Sequence, residues 1–234
     1  MNILITRPLI DAEDLMGKIF SLGHKIIHIP TLKISSAKTD PVNANQYNAF
    51  IFTSANAIRN LKVIKQDKSK LCFCVGAITE KIARMSGYNN TISAGGTVNA
   101  LKNLIISSSQ INEKSKIAYF CGDNVSYDLD LELKREGITV NKIINYTSEK
   151  ITDLNDDNKK IILSHPPDII LVYSARSAVS FIEIVKKYSL YPLMTGSKVM
   201  CISKKVADIF TINNWKKVKI FDPGDELLQL EGKN

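Results

Sequence analysis

Four turns in this chain place hydrogen-bonding groups where an apolar run gives way to helical spacing. Thr53-Ser54-Ala55 follows the run ending at Phe52, and Ser174-Ala175 follows Ile169 to Tyr173. Gly76 follows Leu71 to Val75, and Ser203-Lys204 follows Lys198 to Ile202. A strand that ends at a helix N-terminus exposes unpaired N–H groups and a partial positive charge, which suit a carboxylate or a phosphate. A serine at such a turn can also do no more than cap its own helix. Four such turns in two matching pairs favour a shared anionic ligand over four separate caps. A fifth turn, Cys121-Gly122-Asp123-Asn124, has the same character.

Two further side chains could act on such a ligand. Arg7 follows the first strand, where its guanidinium could grip a carboxylate with two parallel hydrogen bonds, or could simply face solvent. Tyr146 closes a strand at the point where the chain should pass between domains. A phenol there could give a proton or a hydrogen bond to a departing oxygen, although spacing alone favours a packed tyrosine. Tyr173 and Trp215 read as packing residues.

Other chemistries lack their residues. No turn spells G-x-x-x-x-G-K-[ST] or G-x-G-x-x-G, so a nucleotide cofactor is disfavoured. There is no H-E-x-x-H and no G-x-S-x-G elbow. Ser54 and Ser174 have no evident histidine partner, and His24, His28 and His165 read as structural or exposed. Cys72, Cys74, Cys121 and Cys201 lack C-x2-C spacing and sit in apolar runs, so they read as buried reduced thiols, with no metal expected. Such thiols point to the cytoplasm. No apolar run approaches the roughly 20 residues of a membrane span, and no secretory signal is expected. The 234-residue chain carries a formal net charge of +8, which favours anionic partners. Its lysines are thinly spread, in small clusters such as Lys62 to Lys70 and Lys216 to Lys219. No basic stripe interleaved with aromatics appears, so nucleic acid is not an expected partner.

The elements that carry these turns come in a repeated order. Ile3 to Thr6 reads as a strand, Asp11 to Leu22 as a helix stopped by Gly23, and Lys25 to Ile29 as a second strand. Residues 117–146 repeat that unit, with the helix stopped by Gly137. A second kind of unit holds strands Tyr47 to Phe52 and Leu71 to Val75, with helices Ala55 to Ile64 and Ile78 to Met85. Its counterpart holds Ile169 to Tyr173 and Lys198 to Ile202. The order is A, B, A, B. Alternating strands and helices joined by short turns predict parallel sheets with right-handed crossovers.

In that order, I-L-I-T-R-P at 3–8, Y-N-A-F-I-F-T-S-A-N-A-I at 47–58 and V-G-A-I-T at 75–79 resemble the uroporphyrinogen-III synthases. F-C-G-D at 120–123, E-G-I-T-V-N-K-I-I-N-Y-T at 136–147 and V-Y-S-A-R-S-A at 172–178 extend the resemblance over nearly the whole chain. The resemblance implies two similar parallel-sheet α/β domains, a two-stranded β connector and a ligand cleft between the domains. One domain would be discontinuous, 1–34 plus 149–234; the other would hold 37–145, with connectors at 34–37 and 145–149. It also implies closure of hydroxymethylbilane, a linear tetrapyrrole with eight carboxylates, to uroporphyrinogen III with inversion of ring D, loss of water and no cofactor. A cytoplasmic monomer is implied as well.

Residue by residue, Tyr146 matches the family tyrosine that assists departure of the hydroxyl. Thr53, Ser54 and Thr79 match cleft residues of the second domain, Ser174 does so in the first, and Arg7 matches the T-R-P signature. With Ala55, Gly76, Gly122, Ser203 and Lys204 from the other turns, these make the expected substrate site. Ser203-Lys204-Lys205 departs from the family's usual G-x-x-T-A-like turn, and the C-terminus is shorter than usual. These departures keep open a second reading, a two-domain module that binds a polyanion without turnover.

Overall fold

A computed structural model describes residues 1–64, 67–222 and 224–231. The chain opens with β1 (Asn2–Ile5), α1 (Leu9–Ser21) and β2 (Lys25–His28). It continues through β3 (Leu32–Ser36), β4 (Val42–Asn43), β5 (Ala49–Phe52), α2 (Ala55–Arg59) and β6 (Val63–Ile64). Next come β7 (Leu71–Cys74), α3 (Ala77–Met85), β8 (Thr91–Ser93), α4 (Val98–Ile106), β9 (Lys116–Gly122), α5 (Leu129–Arg135) and β10 (Thr139–Lys150). The last stretch holds α6 (Asp156–Ser164), β11 (Ile169–Val172), α7 (Ala175–Lys187), α8 (Tyr191–Met194), β12 (Lys198–Cys201), α9 (Lys204–Ile212), β13 (Val218–Ile220) and α10 (Glu226–Glu231).

Contacts divide the chain into two units. Unit 1 is Met1–Lys33 with Glu149–Asn234, and unit 2 is Ile34–Ser148. The strands β3 and β10 are neighbours in one sheet and carry the chain from one unit to the other.

Unit 1 is built on a five-stranded sheet in the order β13-β12-β11-β1-β2, and each neighbouring pair is parallel. Counted along the chain this is the doubly wound order 2-1-3-4-5. In unit 2 the run β10-β9-β5-β7-β8 is also parallel, with β3 added outside β10. If β9 and β10 are counted as first and second, and β5, β7 and β8 as third to fifth, the order is again 2-1-3-4-5. The two sheets are thus one topology, permuted: unit 1 takes its first pair of strands from the start of the chain, and unit 2 takes its pair from the end of its own segment. The repeated A and B units of the sequence have this as their structural meaning.

The cores follow from strand geometry. Successive side chains of a strand point to opposite faces, and a parallel sheet is covered on both. In β1, Ile3 and Ile5 enter one core of unit 1 and Leu4 the other. In β5, Ala49 and Ile51 enter one core of unit 2, and Phe50 and Phe52 the other. Phe120 lies edge-on to Phe50 at 5.3 Å and stacked on Phe52 at 5.8 Å. Cys72 and Cys74 lie on this same face, as their alternation predicts.

Three local expectations are corrected. The helix expected from Ala55 to Ile64 stops at Arg59, and Val63-Ile64 instead pairs with Val42-Asn43 as a parallel pair of its own. The strand expected from Tyr47 begins at Ala49. The strand expected to close at Tyr146 runs on to Lys150. Of the lysine cluster from Lys62 to Lys70, Lys65 lies outside the described residues, as do Pro223 and residues 232–234. Helix α10 packs Leu227 and Leu230 on the core that holds Ile3, Ile5 and Phe221.

Candidate functional site

In a sheet of order 2-1-3-4-5, ligands bind beyond the carboxyl ends of the strands, beside the point where the winding reverses. That point lies between β1 and β11 in unit 1 and between β9 and β5 in unit 2. Every expected site residue but Tyr146 falls at a carboxyl strand end or in the turn or helix start after it; Tyr146 lies within β10, opposite Gly122 at the end of β9.

In unit 2, β5 runs into Thr53, Ser54 and Ala55. The Thr53 hydroxyl shares a 3.2 Å hydrogen bond with the Tyr119 hydroxyl, reached from β9. Burial pushes the Tyr119 phenol up, and the bond to Thr53 offsets part of that. Ser54 is the N-cap of α2: its Oγ accepts from the Asn56 N–H at 3.1 Å. Ala55 is buried in the first turn. Gly76, after β7, is the N-cap of α3, and Thr79 is buried two residues into that helix. A Cβ on Gly76 would meet the Gly96 Cα at 3.1 Å, and the Gly96 N–H donates to the Val75 carbonyl at 2.7 Å. The turn after β7 is thus held by a neighbouring loop that needs glycine there.

Gly122 ends β9 and Tyr146 lies beside it on β10. A Cβ on Gly122 would sit 2.7 Å from Cε2 and Cζ of Tyr146 and 3.0 Å from its Oη. The phenol therefore lies directly on the backbone of Gly122, half-buried, with one side of its ring on the aromatic core of unit 2.

In unit 1, Arg7 follows β1. Its guanidinium carbon lies 4.4 Å from the centre of the Tyr173 ring, which follows β11. Such a contact is worth about 0.5–2 kcal/mol. Phe221 meets the same ring edge-on at 5.4 Å. Burial pushes the Tyr173 phenol up; the Glu226 charge adds to this and Arg7 opposes it. Glu226 is itself buried at the start of α10, where its Oε2 accepts from the Gly224 N–H at 3.0 Å. His28 Nε2 donates to the Arg7 carbonyl at 2.8 Å, which fixes the backbone that carries the guanidinium.

Ser174 caps α7, accepting from the Ser177 N–H at 3.0 Å. Ser203 stands at the N-cap of α9 without a side-chain cap. Lys204, the next residue, is exposed and pairs with Asp208 one turn along, at 2.9 Å. Capping thus accounts for the hydroxyls of Ser54 and Ser174, and the backbone N–H groups of their turns are what remains for an anion.

The tertiary structure adds residues to those expected at the site: Tyr119, Asn145 and Glu226 are not singled out by the sequence, Tyr173 reads there as packing, and Asp123 stands only as part of its turn. Tyr119 and Tyr173 carry the site's aromatic contacts, Glu226 closes the unit 1 cluster, and Asp123 and Asn145 flank Tyr146. Asp123 had a signal, an acidic residue directly after a glycine at a strand end. Glu226 had none. Among the described residues no group of His, Cys, Asp or Glu is arranged to hold a metal ion.

The model of the uroporphyrinogen-III synthase (HemD) family matches residues 13–221 of this chain. The uroporphyrinogen-III synthetase of Helicobacter pylori is similar in structure, with a TM-score of 0.62 at 16% identity over 98% of this chain and 97% of that one. A mutant uroporphyrinogen III synthase of Thermus thermophilus is similar with a TM-score of 0.58 at 14% identity, over 98% and 95%. At those identities the likeness speaks for the fold. No curated protein sequence matches the chain. The family match spans most of the chain and agrees with the ordered motifs. The chain therefore belongs to the uroporphyrinogen-III synthase family, and its activity is that of a lyase cyclising hydroxymethylbilane to uroporphyrinogen III in haem biosynthesis.

Proposed function

We propose that in this chain Tyr146 donates the proton on which the substrate's terminal hydroxyl departs as water, and that the strand-end turns hold the substrate's carboxylates. The observation that carries this reading is the Tyr146 phenol resting on Gly122 at the carboxyl end of β9, beside the switch point of its sheet.

The chemistry asks little of covalent catalysis. Loss of the hydroxyl with one proton leaves an azafulvene cation, stabilised by the pyrrole nitrogen. Ring D attacks through its substituted α-carbon and gives a spiro intermediate. That intermediate opens and recloses through the other α-carbon, which then loses its proton. The bilane also cyclises unaided, to the type I isomer. The protein's task is therefore to fold ring D into position and keep water from the cation. Eight carboxylates give it many handles. Arg7 supplies a bidentate partner in unit 1. Turns at Ser174, Ser203 and Lys204 offer N–H groups there, and turns at Thr53, Ser54, Ala55, Gly76 and Thr79 offer them in unit 2.

We also infer a cytoplasmic monomer. Its four cysteines, all buried and unpaired, suit a reducing compartment. No helix among the described residues is long and apolar enough to cross a membrane.

The test is an isomer-resolved product assay with hydroxymethylbilane. Type III product is expected, falling sharply in Tyr146→Phe while the melting temperature holds. Type III formation at the wild-type rate in that variant would remove Tyr146 from the chemistry.

A further inference from the structure

We propose that Asp123 and Gly122 are positioning residues for the Tyr146 phenol; this rests on the role given to Tyr146 above. The argument starts from register. β10 follows β9 residue for residue from Thr139 opposite Lys116 to Ile144 opposite Cys121. Then the pairing slips: Tyr146, not Asn145, stands opposite Gly122. One extra residue in a strand bends it and re-aims the side chains that follow. Without the slip, residue 146 would pass to the other face of the sheet.

The extra residue is pinned. Asn145 is buried, and its Nδ2 donates to the Ala57 carbonyl of α2 at 2.6 Å. Its own carbonyl accepts from the Ala37 N–H at 3.1 Å. Asp123 then closes the far side of the bulge with two bonds. Its N–H donates to the Tyr146 carbonyl at 3.1 Å, and its Oδ1 accepts from the Ser148 N–H at 3.0 Å. The Asp123 carboxylate thus fixes the backbone just past Tyr146 while its amide fixes Tyr146 itself.

Gly122 supplies the floor. It is not among the glycines with positive φ, so its backbone would accept alanine. The need for glycine comes from the ring, whose Cε2 and Cζ would lie 2.7 Å from an added Cβ. A methyl group there must push the phenol aside.

The experiment is steady-state kinetics with type III product as the readout, with thermal melts to show that each variant folds. Asp123→Ala should lower kcat by up to about 100-fold with KM little changed, the scale on which a group misplaced by about 1 Å loses rate. Asp123→Asn, which keeps an acceptor for the Ser148 N–H, should restore most of it. Gly122→Ala should lower kcat in the same way. Combined with Tyr146→Phe, neither Asp123→Ala nor Gly122→Ala should lower the rate further, because there is no phenol left to misplace. The proposal is overturned if the losses multiply with that of Tyr146→Phe, if Asp123→Asn is as slow as Asp123→Ala, or if Asp123→Ala turns over like wild type. A Tyr146→Phe enzyme at full rate is a different failure: it removes the role of Tyr146, and the positioning role goes with it.

Discussion

In unit 1 the second strand reaches the first with an imidazole; in unit 2 it does so with a phenol. His28 on β2 bonds the carbonyl of Arg7. Tyr146 on β10 lies over the backbone of Gly122. The strand order around them is the same, and each pair stands next to the point where its sheet reverses its winding. What differs is the residue at or just past the end of the first strand of each pair: Gly122 ends β9, and Arg7 lies two residues past Ile5, where β1 stops. In unit 1 an arginine projects from that place onto an aromatic ring. In unit 2 a glycine leaves the place empty, and a side chain from the neighbouring strand fills it. One scaffold thus presents a fixed guanidinium in one copy and a fixed phenol in the other. A duplicated fold conserves where ligands can be met, and the strand-end residues decide what meets them.

The largest expected difference between the copies is their response to alkali. Burial pushes the Cys74 thiol up to about 12 and the Cys121 thiol up to about 11, and it also raises Cys72, Tyr88 and Tyr119, all in unit 2. Unit 1 has Cys201, pushed up to about 12, and Tyr173. A thiol whose folded pKa lies above its ordinary value near 9 contributes stability that is complete below pH 9 and is lost as pH rises through the folded value. The loss is on the order of 1 kcal/mol per thiol per pH unit. Urea midpoints should fall between pH 9 and 11, and amide exchange should show unit 2 losing protection first. Equal loss in the two units would contradict the burial pattern.

Next comes the exchange of the two site tyrosines. Tyr146→Phe should cost about 100-fold in kcat, the usual scale for removing a general acid. Tyr173→Phe keeps the ring that Arg7 rests on and should leave turnover nearly unchanged. Similar losses at both positions would mean that the copies share the proton transfer.

Arg7→Ala should raise KM about tenfold through loss of a charge-assisted bond, with kcat less affected. Arg7→Lys should recover only part of it, because an ammonium neither forks onto a carboxylate nor stacks as well on Tyr173. A fall in kcat with KM unchanged would assign Arg7 to the chemistry instead.

The smallest effects are expected at the caps. Ser174→Ala and Ser54→Ala should each cost about 1 kcal/mol of stability, read from urea denaturation. Ser174 should cost the more, since its Oγ also bonds the Ser177 hydroxyl at 3.0 Å and α7 is the longer helix. A rise in KM without loss of stability would show that the hydroxyls serve the substrate and not the helices.

Much of this was legible before the fold was known. Apolar runs bounded by Ser-Ala or Gly turns marked the central strands, because a strand buried on both faces must be apolar throughout. The stop glycines Gly23 and Gly137 both take positive φ, as a helix end of that kind requires. The helix from Ala55 was read too long because its apolar spacing continues through Leu61 and Val63; pairing of Val63-Ile64 with Val42-Asn43 outweighs that local preference. Arg7 and Tyr173 come from the two separate segments of unit 1, and no spacing rule links them. The seat of Tyr146 was equally hidden, because the slip between Ile144 and Tyr146 depends on Ala57, Ala37 and Asp123, each from a different element.

The sequence alone determined the repeated α/β units, their parallel strands, and the turns where N–H groups face an anion, because these depend on periodicity and on residues a few positions apart. Only the tertiary structure decided which strand of each copy stands beside which. It alone fixed that a glycine lies beneath Tyr146 and that an aromatic ring lies beneath Arg7. Those outcomes depend on register between distant segments, which is set by the packing of whole sheets and not by any local preference.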